Sequence, residues 1–423
     1  MFLSQVAANA GFFLAVLFLA RGLGPAGRGT VAFVTVAASV IAHVAKFGLA
    51  EAAAVLVARR PDQRAVLLTN IVLFSTVMAA VGAFAAVAAM LALSDEAPAG
   101  VGTTELALLV VGSVAAALVG AGYGVLIGLD RFWIYAAITV AGPWVYALFL
   151  GLVWATFGLT ISRAIGAWVV AHILWAAMLI AACAWRTGFA RPALAPLRES
   201  LSFGMRAWAG SLSMFLNFRA DQILMGFLAT EAALGLYAVA VNVSEVLLYL
   251  PGAIATALIP LVARDAAKPR VAETLTAFRV LTVLTIAGIV VAALLFPVLV
   301  PIIFGEAFRG SVQPFLWLLP GAIGFASSRV FSAALMALGK PGLSSVGPFA
   351  SLAIGLILDV ILIPPYGAEG AAAAASVAFL LGGATALLAY RTSVPFRGTD
   401  LLPRPADVQA LFAIVGWVAR RHP

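Results

Sequence analysis

The sequence predicts an all-α polytopic membrane protein of about twelve transmembrane helices. Three observations carry this. Apolar residues make up 64% of the 423-residue chain and charged residues only 10%, against roughly 25% charged in a soluble domain. The mean hydropathy is +1.11. The apolar residues fall in runs near or above the ~20 residues that cross a bilayer core as a helix.

Read between polar breaks, the runs cover residues 2–20, 30–57, 65–93, 106–129, 132–157, 164–185, 203–228, 233–262, 278–304, 312–338, 343–363 and 370–390. The start, Met1-Phe2-Leu3-Ser4-Gln5, lacks the basic n-region of a signal peptide, so the first run reads as a retained span. Several runs exceed the minimum and imply tilt or an extension into the loop.

Charge orients the set. Of the 25 Lys and Arg, 17 lie on one side, among them Arg59, Arg60, Arg64, Arg186, Arg191, Arg198, Arg264, Lys268, Arg270 and Arg279. Four lie on the other side, namely Arg21, Arg28, Arg163 and Arg309, and four fall inside spans. The positive-inside rule makes the first side cytoplasmic, with both termini inside and the protein in the cytoplasmic (inner) membrane. The net charge of +8 forms no continuous basic face, which argues against a nucleic-acid partner. The longest outer loop, 94–104, has 11 residues, leaving no room for an external enzyme domain. Cys183 is a lone cysteine, and His43, His172 and His422 are scattered. No metal site or cofactor motif is expected.

The chain repeats itself. Gly29-Thr30-Val31-Ala32 opens the second span as Gly235-Leu236-Tyr237-Ala238 opens the eighth, 206 residues later. The same spans close on Leu56-Val57-Ala58-Arg59 and Leu261-Val262-Ala263-Arg264, 205 residues apart. Two six-helix lobes of like orientation follow, related by an axis along the membrane normal. The expected division is a first lobe at 1–190, a cytoplasmic linker at 191–202 within the basic loop carrying Pro192 and Pro196, a second lobe at 203–391, and a cytoplasmic tail at 392–423. In the tail, Val408, Leu411, Phe412 and Val415 recur at helical spacing, which predicts an interfacial amphipathic helix over 407–419.

Three stretches resemble the lipid-linked oligosaccharide (O-antigen type) flippases of the multidrug/oligosaccharidyl-lipid/polysaccharide superfamily. They are Ala20-Arg21-Gly22-Leu23-Gly24-Pro25 leading to Gly29, then Ala220-Asp221-Gln222-Ile223-Leu224-Met225-Gly226 with the Leu234–Ala240 run, and Ala334-Leu335-Met336-Ala337-Leu338-Gly339-Lys340-Pro341. The resemblance implies two lobes around a central cavity that opens alternately to each side. It implies a polyprenyl-diphosphate oligosaccharide as cargo, moved from the inner to the outer leaflet, in a bilayer shared with polysaccharide assembly enzymes.

Charges inside spans are costly in lipid and are functional candidates. Lys46, Arg206, Arg219 and Arg329 are the intramembrane cations. Arg offers a planar fork that matches phosphate oxygens, so these four are the expected substrate-binding residues. Snorkelling to the interface is the competing reading, strongest for Arg206. Asp221, Glu245, Asn242 and Asp359 are the expected ion-coupling residues. Asn242 and Glu245 share a helix face, as do Asn217 and Asp221. A structural pairing of Asp221 with Arg219 competes with a coupling role. Glu51 is set aside as lying towards the inner end of its span, and His43 and His172 read as packed residues. Two other classes stay open: a drug/cation antiporter of the same superfamily, which four intramembrane cations disfavour, and a polytopic enzyme on the same lipid carrier, which the short outer loops disfavour. The expectation is therefore a transporter and not an enzyme.

Overall fold

The computed structural model describes residues 2–93, 100–263, 271–404 and 407. Most of the expected outer loop at 94–104, the basic loop with Arg264, Lys268 and Arg270, and the expected tail helix beyond Asp407 lie outside these residues. Among the described residues the chain is helical, without strands. The helices are α1 (Phe2–Ala45), α2 (Leu49–Arg59), α3 (Arg64–Leu93), α4 (Thr103–Gly128), α5 (Phe132–Phe157), α6 (Ile161–Thr187), α7 (Leu194–Leu216), α8 (Ala220–Leu228), α9 (Glu231–Ala263), α10 (Val271–Ile303), α11 (Val312–Ala337), α12 (Pro341–Ser344) and α13 (Val346–Ser393).

Nine helical stretches among the described residues are long and apolar enough to cross a membrane. Two of them contain a chain reversal. In α1, Gly24 takes φ 66° and ψ −176° and Pro25 follows. Before it, Gly11 and Phe18 pack on Trp144 and Gly151 of α5, and Gly22 meets Leu159; this half of α1 runs parallel to α5. After it, Ala42 and Ala45 cluster with Ala117 of α4, and Ala50 and Ala53 of α2 meet Gly124 and Gly128. In α13, Gly367 takes φ 53° and ψ −125°. Leu362 faces Gly370, Gly355 faces Ala378 and Gly347 faces Ala386, which defines an antiparallel hairpin. Positive φ costs glycine nothing, and a proline beside each turn fits a chain that cannot continue as one helix. With both hairpins divided and α7–α8 taken as one broken segment, the expected twelve crossings are present.

The lipid-facing surface follows from helical periodicity. On α3, Leu73, Val77, Val81 and Phe84 are uncovered by protein, and on α10 so are Val283, Ile286, Val290, Leu294 and Val298. Such one-sided stripes seat a helix against hydrocarbon. Helix–helix contacts instead rest on small residues, which let backbones approach where no hydrophobic effect drives association.

Two compact units result. Unit 1 holds residues 1–238 and 303–308, and unit 2 holds 239–302 and 309–423. In unit 1, Leu49, Leu56, Val57, Leu67, Leu68, Ile71, Val125, Leu126 and Leu179 form a buried core. In unit 2, α11 packs on the second half of α13, where Gly324 lies against Gly383 and Phe331 against Tyr390.

Helix boundaries differ from the sequence reading at four places in the second and seventh spans. The second span breaks between Ala45 and Leu49. The seventh begins at Leu194, so residues 194–202 of the expected linker are helical, and it breaks between Leu216 and Ala220. The second span also starts earlier than residue 30, because Pro25 opens that helix.

The repeat reappears in three dimensions. A Cβ on Gly29 would overlap the carbonyl of Glu231, and a Cβ on Gly235 would overlap the carbonyl of Pro25. Residues 25 and 231, like 29 and 235, are 206 apart. Within unit 1 the opening turns of the two related helices therefore cross reciprocally at their equivalent glycines.

Candidate functional site

The break after α1 creates a polar cluster in unit 1. Phe47 takes φ 44° and Gly48 φ 76°; a positive φ on a non-glycine residue marks a strained, locally enforced turn. On a continuous helix Lys46 and Glu51 would point about 140° apart. The break turns them together, with Lys46 Nζ 3.5 Å from Glu51 Oε1. Ser211 Oγ of α7 donates to the same oxygen at 2.8 Å. Trp208 Nε1 donates to the His43 carbonyl at 3.2 Å, Trp208 stacks on Phe47, and His43 stacks on Phe215. The backbones of Gly48 and Gly204 touch, so any side chain there would collide. Glu51 Oε2 and His43 Nε2 are buried without a hydrogen-bond partner. Lys46 was expected as an open cation; it is held by the acid that the sequence reading set aside.

Arg28 was missed. Read as part of an outer loop, it lies instead in the first turn after Pro25 and is 6% exposed. Its Nε is buried without a partner, and among the described residues the guanidinium has no hydrogen bond or ion pair. Its electrostatic neighbour is the Tyr146 hydroxyl on α5, and among the described residues no carboxylate stands with it. The signal that could have placed it is Pro25, because proline favours the first helical position.

The other expected cations differ among themselves. Arg329 is half-buried on α11 in unit 2. Its Nε is buried and unpartnered, and no described acid pairs with it. Arg206 sits on an exposed face of α7 with no partner among the described residues. Arg219 lies between α7 and α8 and donates to the Phe218 carbonyl at 2.8 Å.

Among the acids, Asp221 is buried in the first turn of α8. It accepts from the Tyr237 hydroxyl and from the Gln222 N–H at 2.7 Å. Tyr237 is fully buried at the start of α9 and was not singled out in the sequence. Asn242 and Glu245 follow on α9, both half-buried and in unit 2. Asp359 is buried in the first half of α13, 4% exposed. His172 behaves as expected: its Nδ1 lies 2.9 Å from the Trp168 carbonyl, and the ring packs between Trp168 and Trp175.

Among the described residues, twelve helical crossings and two glycine hairpins define a multi-pass membrane protein. The chain belongs to the polysaccharide biosynthesis protein family, whose profile matches residues 18–313. It is 24% identical over 233 residues to the probable low-salt glycan biosynthesis flippase Agl15 of Haloferax volcanii; the match covers 52% of this chain and 48% of that protein, about half the relative's length. Its fold is similar to that of the lipid II flippase MurJ in an inward closed conformation, with TM-score 0.77, 14% identity and coverage of 95% of this chain and 89% of that one. It is also similar to a multidrug resistance MATE transporter of the MOP superfamily in its inward-facing conformation, with TM-score 0.70, 15% identity and coverage of 91% and 94%.

Proposed function

We propose that the protein is a flippase. It moves a polyprenyl-diphosphate-linked oligosaccharide from the inner to the outer leaflet of the cytoplasmic membrane by alternating access, with both termini on the cytoplasmic side. It acts beside polysaccharide assembly enzymes and is not itself an enzyme. Membership of the polysaccharide biosynthesis family and the likeness to two proteins described as flippases support the class. One observation carries the cargo: Arg28, 6% exposed and without a counter-acid among the described residues. An unpaired buried cation is expensive in a low-dielectric interior. A diphosphate oxyanion supplies the missing charge, and Arg binds it with two parallel donors. Arg329 presents the same chemistry on unit 2.

Lys46 takes part as a gated cation, released from Glu51 when phosphate oxygens replace the carboxylate. Arg206 and Arg219 complete the substrate-binding set. Asp221, Asn242, Glu245 and Asp359 are the coupling candidates, and the Tyr237 hydroxyl is the hydrogen-bond donor that faces Asp221. The six-span halves at 1–190 and 203–391 are the moving bodies.

Reconstitution tests this reading. Proteoliposomes carrying a fluorescent polyprenyl-diphosphate glycan should show protein-dependent translocation, and Arg28→Gln and Arg329→Gln should each lower its rate at least tenfold (roughly the loss of one charge-assisted hydrogen bond). Unchanged rates in both variants would remove the cationic site. Uptake of a lipophilic cation in place of the glycolipid would support the drug/cation antiporter.

A further inference from the structure

The segment that joins α6 to α7 is not a loose tether. Helix α6 ends on Gly188, with φ 69° and its N–H donated to the Ala184 carbonyl at 2.8 Å. The next residues are then clamped to α3. Asn70, 4% exposed, receives the Ala193 N–H on its side-chain oxygen at 3.1 Å. Its amide nitrogen donates back to the Ala193 carbonyl at 2.8 Å. Beside it, the Ala190 N–H donates to Thr69 Oγ1 at 3.1 Å. The opening turns of α7 lie on the same unit. Leu197 and Leu201 pack on the unit 1 core, Ser200 is buried, and Gly204 touches Gly48; these four fall on one helix face.

Other side chains of the same segment are bare. Trp185 is 86% exposed, Phe189 59% and Leu194 79%. Arg186, Arg191 and Arg198 are interleaved with them, all exposed and without a hydrogen bond or ion pair among the described residues. The nearby acid, Glu199, does not neutralise them, because Arg60 holds it at 2.6 Å. A clamped segment in which exposed aromatic and apolar side chains alternate in sequence with guanidinium groups that have no partner among the described residues, at the end of a membrane-crossing helix, has the chemistry of a headgroup-level contact. We infer that residues 185–198 form a fixed strap that binds anionic phospholipid headgroups through Arg186, Arg191 and Arg198, with Trp185, Phe189 and Leu194 seated at the acyl boundary. The charge favours anionic over zwitterionic lipid by roughly fivefold per arginine near such a surface.

The test is lipid binding, read independently of transport. The purified full-length protein in neutral detergent is titrated with labelled phosphatidylglycerol or phosphatidylcholine, and bound lipid is counted by native mass spectrometry. The wild type should prefer phosphatidylglycerol at least tenfold. Combined R186Q, R191Q and R198Q should erase that preference, the three Arg→Lys changes should keep most of it, and Asn70→Ala should reduce it by releasing the clamp. If the triple Gln variant does not purify, the single substitutions carry the test, each expected to lower the preference about fivefold. A wild type that binds both lipids alike would overturn the inference and leave the strap an ordinary interfacial anchor. Full preference in the Gln variants would overturn it equally.

Discussion

Arg28 and Arg279 are covered to the same extent, each 6% exposed, yet their surroundings are opposites. Arg279 on α10 is saturated. Its Nε and Nη2 each reach Asp407 at 2.8 Å, Nη1 donates to the Asp400 carbonyl at 2.8 Å, and Nη2 also meets Thr276 Oγ1 at 3.0 Å. Arg28 has the Tyr146 hydroxyl nearby and no acid among the described residues. A fork fully occupied by its own protein has nothing left to offer a ligand. An empty fork at the same exposure stores a binding energy that the fold itself does not use. Under the proposed function, the contrast separates a structural arginine from one left available to a ligand.

Methionine at the two positions should break the comparison most visibly. Arg279→Met strands Asp407, whose side chain is 6% exposed, and should lower stability by about 3 kcal/mol, the lower end of the range for a buried pair that loses one partner. Arg28→Met removes an uncompensated charge and should leave the melting temperature in detergent unchanged or raised, while translocation is lost. Both variants destabilised alike would dissolve the distinction.

Acid should discriminate next. The Asp407 carboxyl is held below its ordinary value near 3.8, first by the hydrogen bonds from Arg279 and then by the Arg404 N–H. A depressed carboxyl pKa contributes stability that is complete above the unfolded pKa and is lost as pH falls through the folded value. The melting temperature should therefore drop as pH is lowered below about 4, and Asp407→Asn should flatten that part of the curve. An equally steep acid limb in Asp407→Asn would detach the pair from the transition.

The smallest effect belongs to the intermediate case. Lys46 is neither saturated nor free, since it shares Glu51 Oε1 with Ser211. Glu51→Gln should release it and tighten diphosphate binding a few-fold, whereas Lys46→Ala should weaken it. Identical affinities in both variants would show that the pair has no part in recognition.

The contrast also marks what the sequence made legible. Hydrocarbon demands long apolar helices, so twelve runs were countable, and Gly29 and Gly235 were legible as equivalent positions of a repeat, though not as the place where the two helices cross. Asp221 was identifiable as a buried acid because a charge inside an apolar run has few places to go. The partners were not legible. Lys46 and Glu51 are five residues apart and would diverge on a regular helix; only the strained turn at Phe47 and Gly48 joins them. Tyr237 looked like one more apolar residue, although its hydroxyl satisfies Asp221. Arg28 was assigned to water because a span was started at residue 30 in place of Pro25, and that shift of one helical turn hid a buried guanidinium. Pairing depends on local breaks and boundaries, and periodicity does not encode them.

The most direct measurement is diphosphate binding by the purified protein. Polyprenyl diphosphate and the uncharged polyprenol should be titrated into wild type, Arg28→Met and Arg279→Met, with binding followed by calorimetry at a temperature where all three remain folded. The wild type and Arg279→Met should bind the diphosphate alike and much more tightly than the polyprenol, and Arg28→Met should lose at least tenfold in affinity for the diphosphate alone. Equal diphosphate affinity in wild type and Arg28→Met would contradict the assignment of Arg28 as the open half of the comparison.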